Sequence, residues 1–181
     1  MALWFSYNQY TKNKITDYKL EKMKEEDKKS QITNAGNIAT IYGELWELLY
    51  FLKADRVYII QPHPLYKYLY ISATLEVKNY GVASAKNTLN NVKMETLPKF
   101  ASRLAKEDLI FIEDTEVADV ETKVKSIMVG NGCKSLFIKK LVDENNNWIG
   151  SIALGYLRSF KEYGIEKKLV ERMTRTSAMS I

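Results

Sequence analysis

The sequence predicts an α+β domain in which helices pack on an antiparallel sheet. Apolar β segments occur in two pairs, each joined by a turn, and segments with helical spacing separate the pairs. Strands paired as hairpins run antiparallel, and the helices between them must cover the sheet. The chain has 181 residues, 46% of them hydrophobic and three of them proline, which is enough for one domain with a substantial core.

The first element is predicted to be a long helix, because residues 7–53 contain no proline. Its first part, residues 11–29, is dominated by charged residues, and a helix with so thin an apolar stripe needs a partner. From Ile32 onwards apolar residues recur at spacings of three and four, which predicts a face packed on the sheet. This face includes Leu45, Trp46 and Leu49.

The chain is therefore expected to have three parts. They are a helical stalk over residues 1–30, a folded domain over residues 31–173 and a frayed tail over residues 174–181. Because the stalk buries too little to be helical alone, we expect a homodimer through this helix and the last helix.

Strands are predicted from apolar runs that are bounded by turn residues or charges. They are Val57–Ile60, Tyr68–Val77, Leu109–Ile112, Ser135–Val142 and Trp148–Tyr156. Helical spacing predicts further helices near residues 95–106, 119–129 and 161–172. Gly81 is a candidate for positive φ, and Gly130 and Gly132 lie where a helix C-cap is expected.

The charge pattern argues against a nucleic-acid-binding protein. The net charge is +5, but the Lys and Arg residues are spread along the chain. A strong nucleic-acid binder clusters them on one element, so we interpret the excess as a solvated surface, with attraction to an anionic bilayer as the alternative. One cysteine and one histidine exclude an intrachain disulfide and an ordinary structural zinc site, and we predict no cofactor.

No residue pattern predicts an enzyme. His63 lies between two prolines, which favours an exposed loop residue, since a catalytic histidine needs an orienting partner. Cys133 begins an apolar strand, where a lone cysteine is more often buried and inert than a redox sensor. Glu113, Asp114 and Glu116 follow a buried strand, where a solvated turn is more usual than a cation site or an acid/base pair.

A ligand site is predicted from tyrosines and a lysine near the first hairpin. Tyr and Lys suit an anionic or aromatic ligand, although core tyrosines with one end in water are an equally good interpretation. With two acids from the middle of the chain, the candidate ligand-binding residues are Tyr58, Tyr70, Lys78, Tyr80, Glu113 and Asp114.

Four segments, in this order, resemble parts of the GAF domain. Residues 54–60 resemble the family's first strand after its leading helix, and residues 109–114 resemble its middle strand that ends in Asp. Residues 129–136 are similar to its glycine-containing step from helix to strand, and residues 148–154 are similar to its last hairpin strand. The resemblance covers roughly residues 35–160.

The resemblance implies an antiparallel sheet of five to six strands between two helical layers, and a dimer formed through the terminal helices. It also implies a small-molecule pocket on the face opposite those helices, under the segment between the second and third strands. The active subtypes are not matched. The chain has no Asn-Lys-Phe-Asp-Glu signature, as in cyclic-nucleotide-binding members, and Cys133 is not beside a histidine, as in bilin-binding members. The sequence therefore predicts a non-catalytic sensory or regulatory module that binds a small molecule or a protein partner.

The first residues predict attachment to a membrane. Residues 1–7 are mostly apolar and aromatic, and Lys12 and Lys14 follow, a pattern typical of the point where a transmembrane helix leaves a bilayer. We expect a membrane segment before Ala2 and a membrane-anchored protein with a soluble domain, the alternative being a cytoplasmic protein whose aromatic start packs on the domain. A second functional hypothesis is a bacteriophage lysis protein of the holin type, or a structural protein that the GAF-like domain assembles.

Overall fold

A computed structural model of the chain describes residues 22, 24, 35–164, 168 and 170. The chain divides into two compact units, Met1–Ile41 and Tyr42–Ile181. In the first unit, residues 22, 24 and 35–41 are helical. Apart from residues 22 and 24, the predicted stalk lies outside the described residues, as does the predicted tail, so the three-part division stays a prediction.

The second unit contains a sheet with helices before, between and after its strands. It starts with helix α1, residues 42–51. The later elements, in chain order, are β1 Arg56–His63, β2 Tyr70–Lys78, β3 Val92–Lys93, α2 Pro98–Lys106, β4 Leu109–Ile112, α3 Thr122–Gly130, β5 Ser135–Val142, β6 Trp148–Tyr156 and α4 Phe160–Tyr163. The helix predicted near residues 161–172 is described only in part: residues 161–163 lie in α4, Gly164 is in a turn, and residues 168 and 170 are helical. Its other residues lie outside the described part of the chain.

The sheet is antiparallel throughout its six described strands, with the order β3-β2-β1-β6-β5-β4. The prediction of an antiparallel α+β sheet is confirmed, and β4, β5 and β6 have their predicted bounds. Strand β1 continues past its predicted end to His63. It can do so because β6 pairs with β1 only as far as Ile60, so Pro62 lies where one side of β1 is free of the ladder and its missing N–H is tolerated.

The two faces of the sheet are covered by different helices, since alternate residues of a strand point to opposite faces. Tyr58 and Ile60 of β1 belong to a buried cluster that contains residues of α2 and α3, among them Phe100, Leu104, Val124 and Met128. On the other face, the Tyr156 hydroxyl donates to the carbonyl of Leu52, just after α1, at 3.1 Å. The Tyr156 ring also lies 5.0 Å from the ring of Phe160 in α4. A core therefore lies on each side of the sheet.

The inward face of α1 is narrower than the sequence predicts. Leu45 and Leu49 are 0% and 6% exposed, as expected for core positions. The prediction that Trp46 also packs inward is wrong, because its side chain is 50% exposed. Neighbouring residues on a helix point about 100° apart, so Trp46 turns away from the face that Leu45 buries. No described helix combines the length and hydropathy that a membrane span requires.

Two glycine predictions are confirmed by the backbone. Gly81, after β2, has φ 79°, and Gly132, after α3, has φ 67°. Both values lie in the left-handed region, which glycine occupies without steric cost. Helix α3 ends at Gly130 with Asn131 as its C-cap, and this placement brings the Asn131 carbonyl to the edge of the site described next.

Candidate functional site

Polar side chains form two cross-strand pairs at one end of the sheet, on the face opposite α1. Arg56 of β1 lies opposite Lys78 of β2, and Tyr58 lies opposite Glu76. On the other side of β1, the residues of β6 opposite Arg56 and Tyr58 are small, Gly155 and Ala153. Directly opposed residues share a face, so the long polar side chains lie beside a strand that leaves them room.

Residues 82–88, here called the covering segment, are held at this end of the sheet by side-chain hydrogen bonds. The Lys78 Nζ donates to the carbonyl of Val82 at 2.7 Å, and the Arg56 Nη1 donates to the carbonyl of Ala83 at 2.8 Å. The Glu76 carboxylate accepts from the Ala85 N–H at 2.7 Å and from the Ser84 hydroxyl. Three charged side chains of the sheet therefore hold one irregular segment.

The backbone of the covering segment does not join the sheet ladder. Its described backbone hydrogen bonds run between residues 79 and 89, such as the bond from the Val82 N–H to the Asn79 carbonyl at 3.3 Å. The end of α3 contributes one further side-chain bond, from the Asn131 Nδ2 to the Thr88 hydroxyl at 2.6 Å. The covering segment can consequently move away from the sheet without breaking any backbone hydrogen bond between strands.

The Arg56 guanidinium is buried without an acidic partner. Its side chain is 1% exposed, and its Nη2 donates to the Asn131 carbonyl at 2.5 Å. Among the described residues, none forms a hydrogen bond with its Nε, and no carboxylate forms an ion pair with it. A Cβ at Gly155 would lie 3.0 Å from this Nε, so the glycine is what lets the side chain lie across β6.

Tyr58 and Cys133 are buried beside this charge. Burial raises the pKa of the Tyr58 hydroxyl well above its ordinary value. Burial also raises the pKa of the Cys133 thiol to about 11, and the thiol donates to the carbonyl of Ser135 at 3.2 Å. The thiolate is the nucleophilic form of cysteine, so Cys133 is a poor nucleophile at neutral pH. The prediction that Cys133 is buried is confirmed.

His63 is not the exposed loop residue that its flanking prolines predict. It is the last residue of β1, half-buried, and its ring stacks on Tyr70 with 5.6 Å between the ring centroids. Its Nε2 lies 2.9 Å from the Ser72 hydroxyl, which also accepts from the Asn91 N–H at 2.8 Å. The two contacts link the end of β1 to β2 and to the residue before β3.

The predicted ligand residues fall at four separate places. Tyr58 and Lys78 lie together under the covering segment, whereas Tyr70 lies at the other end of β2 against His63. Tyr80 is fully exposed in the turn after β2. Glu113 and Asp114 follow β4. Strands β5 and β6 lie between β4 and β1, so β4 is about 14 Å from β1 at the usual strand spacing.

The acids after β4 have their own partners. The Glu116 N–H and the Lys134 ammonium hold the pKa of Asp114 below its ordinary value, and the Lys134 Nζ lies 3.2 Å from the Asp114 carboxylate. Glu113 and Asp114 line a small cleft of about 230 Å³ with Ser159 and Phe160. This cleft is open to solvent at the sheet edge, so it is separate from the buried residues around Arg56.

Arg56, Glu76 and Asn131 complete the site but were not among the predicted residues. Arg56 is the first residue of β1, and a charged residue at this position usually indicates only where a strand begins. The sequence therefore does not identify it as a site residue. A usable signal was present, because Glu76 and Lys78 alternate with Val77 and so place two charges on one face of a mostly apolar strand. No sequence pattern identifies Asn131, because its backbone carbonyl, 75 positions from Arg56, comes next to that side chain only when the chain folds.

No family model and no curated protein sequence matches this chain. Solved structures are similar to it. One is a domain assigned to a two-component sensor histidine kinase protein from Sinorhizobium meliloti 1021, with a TM-score of 0.57, 18% identity, and coverage of 77% of this chain and 83% of that chain. A second is the blue-light absorbing form of the Thermosynechococcus elongatus PixJ GAF domain, with a TM-score of 0.63 and 11% identity over 80% of this chain and 84% of that chain.

A third similar structure is a far-red cyanobacteriochrome photoreceptor. Its TM-score is 0.60 at 12% identity, and the match covers 90% of this chain and 96% of that chain. The three likenesses extend over most of both chains, and at identities this low they concern the fold.

Proposed function

We propose that this chain, which has a GAF-like fold, is a non-catalytic sensory or regulatory module that binds a small molecule between the sheet and the covering segment. The observation that carries the proposal is the covering segment itself. Hydrogen bonds from the side chains of Arg56, Glu76 and Lys78 hold it in place of strand pairing, and its Ala85 belongs to the same buried cluster as Tyr58. Segments of low local stability are where proteins open to admit ligands.

The similar structures support a sensory role, since they include a photoreceptor and a domain assigned to a sensor histidine kinase. The ligand proposed for this chain is held without a covalent bond. Its single cysteine, Cys133, is buried and has a raised pKa, so it is poorly placed to form a bond with a chromophore.

The residue before Arg56 offers a route for the signal to the other face of the sheet. The Asp55 carboxylate accepts from the Leu157 N–H at 2.7 Å and from the Tyr163 hydroxyl in α4. Asp55 and Arg56 are consecutive, so a displacement of Arg56 by a ligand also displaces the anchor of α4. We propose that the terminal helices receive the signal in this way.

A homodimer through the terminal helices is part of the proposal. It is supported by aromatic side chains of α1 that the described residues leave exposed, namely Trp46 at 50%, Tyr50 at 79% and Phe51 at 58%. Light scattering at high protein concentration tests it, and a monomer would contradict it. Replacement of Trp46 and Tyr50 by Ser should convert a dimer into a monomer.

Attachment to a membrane also stays a proposal, and it rests on the aromatic residues 1–7 and the lysines that follow. About 20 apolar residues upstream in the native reading frame would support it. The same observation would favour a holin-type lysis protein, which remains the alternative function.

The ligand-binding proposal is tested by a thermal-shift screen of nucleotides, tetrapyrroles and metabolites with the purified chain. We expect at least one compound to raise the melting temperature and to change amide hydrogen exchange in residues 82–88. Tyr58→Phe should reduce the shift, whereas Tyr80→Phe, at an exposed tyrosine, should leave it unchanged. A screen without any stabilising compound, or a shift equally large in Tyr58→Phe with no change at residues 82–88, would contradict the proposed site.

A further inference from the structure

We infer that the ligand carries an oxyanion, a carboxylate or a phosphate, and that Arg56 binds it in exchange for two backbone carbonyls. The inference rests on the proposed ligand-binding function and specifies the chemistry of its site. It starts from the state of the guanidinium, which is 1% exposed and has no acidic partner among the described residues.

The bonding of Arg56 is incomplete for a buried cation. A guanidinium has five N–H donors in a planar fork, and here the acceptors are the carbonyls of Ala83 and Asn131, while the Nε has none. A buried charge is costly unless a counter-charge and hydrogen bonds compensate it. An oxyanion supplies the missing counter-charge, and its paired oxygens match the fork that Nη1 and Nη2 form, so it replaces two neutral acceptors by charged ones.

The neighbouring charges favour an anion over a cation. Lys78 lies opposite Arg56 in the strand register, so two cationic side chains share this end of the sheet. The nearby acids already have partners. The two Glu76 oxygens accept from the Ala85 N–H and the Ser84 hydroxyl. The Asp55 carboxylate accepts from the Leu157 N–H and the Tyr163 hydroxyl. Tyr58 stays neutral, since burial raises its pKa. The charge left without a partner is therefore positive.

Binding and opening are linked, because the carbonyls that an oxyanion would replace belong to two different elements. The Ala83 carbonyl is part of the covering segment, and the Asn131 carbonyl belongs to the C-cap residue of α3. An oxyanion on Nη1 and Nη2 takes both positions, so it releases the covering segment from Arg56 as it binds. The remaining tethers, from Glu76 and Lys78, then hold the segment with fewer bonds.

The experiment follows the side-chain Nε–H signals of the whole chain by NMR. Inorganic phosphate and acetate are the two probes, and sodium chloride at matched ionic strength is the control. The Arg56 signal is assigned by its loss in Arg56→Lys, and Arg158→Lys, at an exposed arginine, is the matched control. We expect a saturable shift of the Arg56 signal with one probe and none with chloride, and the probe that acts distinguishes a phosphate ligand from a carboxylate ligand.

The Arg56→Lys variant should bind the active probe about tenfold more weakly or worse, since lysine lacks the bidentate fork. If that variant does not fold, the Arg56 signal is assigned instead by through-bond correlation with its own backbone amide, and the wild-type titration decides. An Arg56 signal that neither oxyanion moves overturns the inference, as does equal affinity in Arg56→Lys. A neutral compound from the thermal-shift screen that binds under residues 82–88 would in that case keep the proposed function while the oxyanion inference fails.

Discussion

The covering segment and the β5–β6 hairpin belong to the same domain but are held by different kinds of bond. Residues 82–88 depend on side chains of four residues, and their own backbone bonds stay local. The hairpin is paired from Ser135↔Tyr156 to Val142↔Trp148, and it carries core residues that are 0% exposed, among them Phe137, Leu154 and Tyr156. The difference teaches where the molecule can open. A few polar bonds can be exchanged for bonds to a ligand, whereas a packed hairpin opens only when the domain unfolds.

The largest effect is expected from Phe137→Ala in the hairpin. Phe137 is fully buried, and its ring lies 6.4 Å from the Phe111 ring on the neighbouring strand. Removal of a buried phenyl ring leaves a cavity and should lower the free energy of unfolding by about 3–5 kcal/mol. Urea denaturation measures the loss, and Val129→Ala, at a residue 63% exposed, should change it by less than about 0.5 kcal/mol. A loss below about 1 kcal/mol for Phe137→Ala would show that the hairpin is less tightly packed than its burial indicates.

Gly155→Ala is a change in the hairpin that should also affect the covering segment, because Gly155 lies against the Arg56 side chain that holds this segment. The new Cβ would lie 3.0 Å from the Arg56 Nε and 3.1 Å from its Cγ. Overpacking of this kind should cost about 1–3 kcal/mol, and the shift of Arg56 should also speed amide exchange in residues 82–88. Gly43→Ala is the control, since a Cβ there meets nothing within 4 Å and should stabilise the helix by about 0.5–1 kcal/mol. Unchanged exchange in Gly155→Ala would mean that Arg56 does not tether the segment.

Glu76→Gln should loosen the covering segment while the strand pairing of the hairpin stays intact. The amide keeps one acceptor but loses the charge that receives the Ala85 N–H and the Ser84 hydroxyl. We expect a loss of about 1 kcal/mol in the free energy of unfolding, and faster amide exchange at residues 82–88 that does not require global unfolding. Exchange in β5 and β6 should accelerate only by the roughly fivefold that the global loss allows. Glu144→Gln, in the exposed hairpin turn, should alter neither. Exchange at residues 82–88 that depends on urea as steeply as exchange in β5 and β6 would contradict the separation of the two.

The smallest effect is expected from Tyr163→Phe, and it concerns how the free energy of unfolding changes at alkaline pH. Burial, together with the Asp55 carboxylate, raises the pKa of Tyr163 from 10.0 to about 12. A group whose folded pKa is raised adds stability that is complete below the unfolded pKa and is lost as the pH rises through the folded one. Tyr163→Phe should therefore lose less stability than the wild type between pH 10 and 12. Denaturation across this range measures it, with Tyr80→Phe as the exposed control, and parallel curves for Tyr163→Phe and wild type would refute it.

The sequence predicts the strands better than it predicts the site. Strands β4, β5 and β6 are apolar runs with charged or turn residues at both ends, so their bounds follow from composition. Strand β3 was missed because two residues, Val92 and Lys93, show no periodicity. Trp46 was misplaced because a wide run of apolar residues does not tell which edge of a helix face is buried.

For the site, the sequence predicts individual residues but does not predict which of them lie close together in the folded chain. Tyr58 and Lys78 were predicted, and they lie under the covering segment. Tyr80 follows the same strand but points to solvent, since the turn at Gly81 redirects the chain. The bond from Arg56 to Asn131 joins residues 75 positions apart, and only the packing of α3 over the sheet brings them together.

Strand β3 is so short that it leaves most of one edge of β2 without a neighbouring strand. It pairs with β2 only at Tyr70 and Ile71, so the outer side of β2 beyond these residues has no strand beside it. The chain after β2 shields that side, with the Ala73 N–H bonded to the Leu89 carbonyl at 2.8 Å. An unshielded strand edge is a template for aggregation with other molecules. If the chain after β2 moves away from this side, as the proposed ligand binding requires of the covering segment, the exposed edge of β2 can pair with another molecule. The fraction of time spent open would then limit the concentration at which the protein stays in solution.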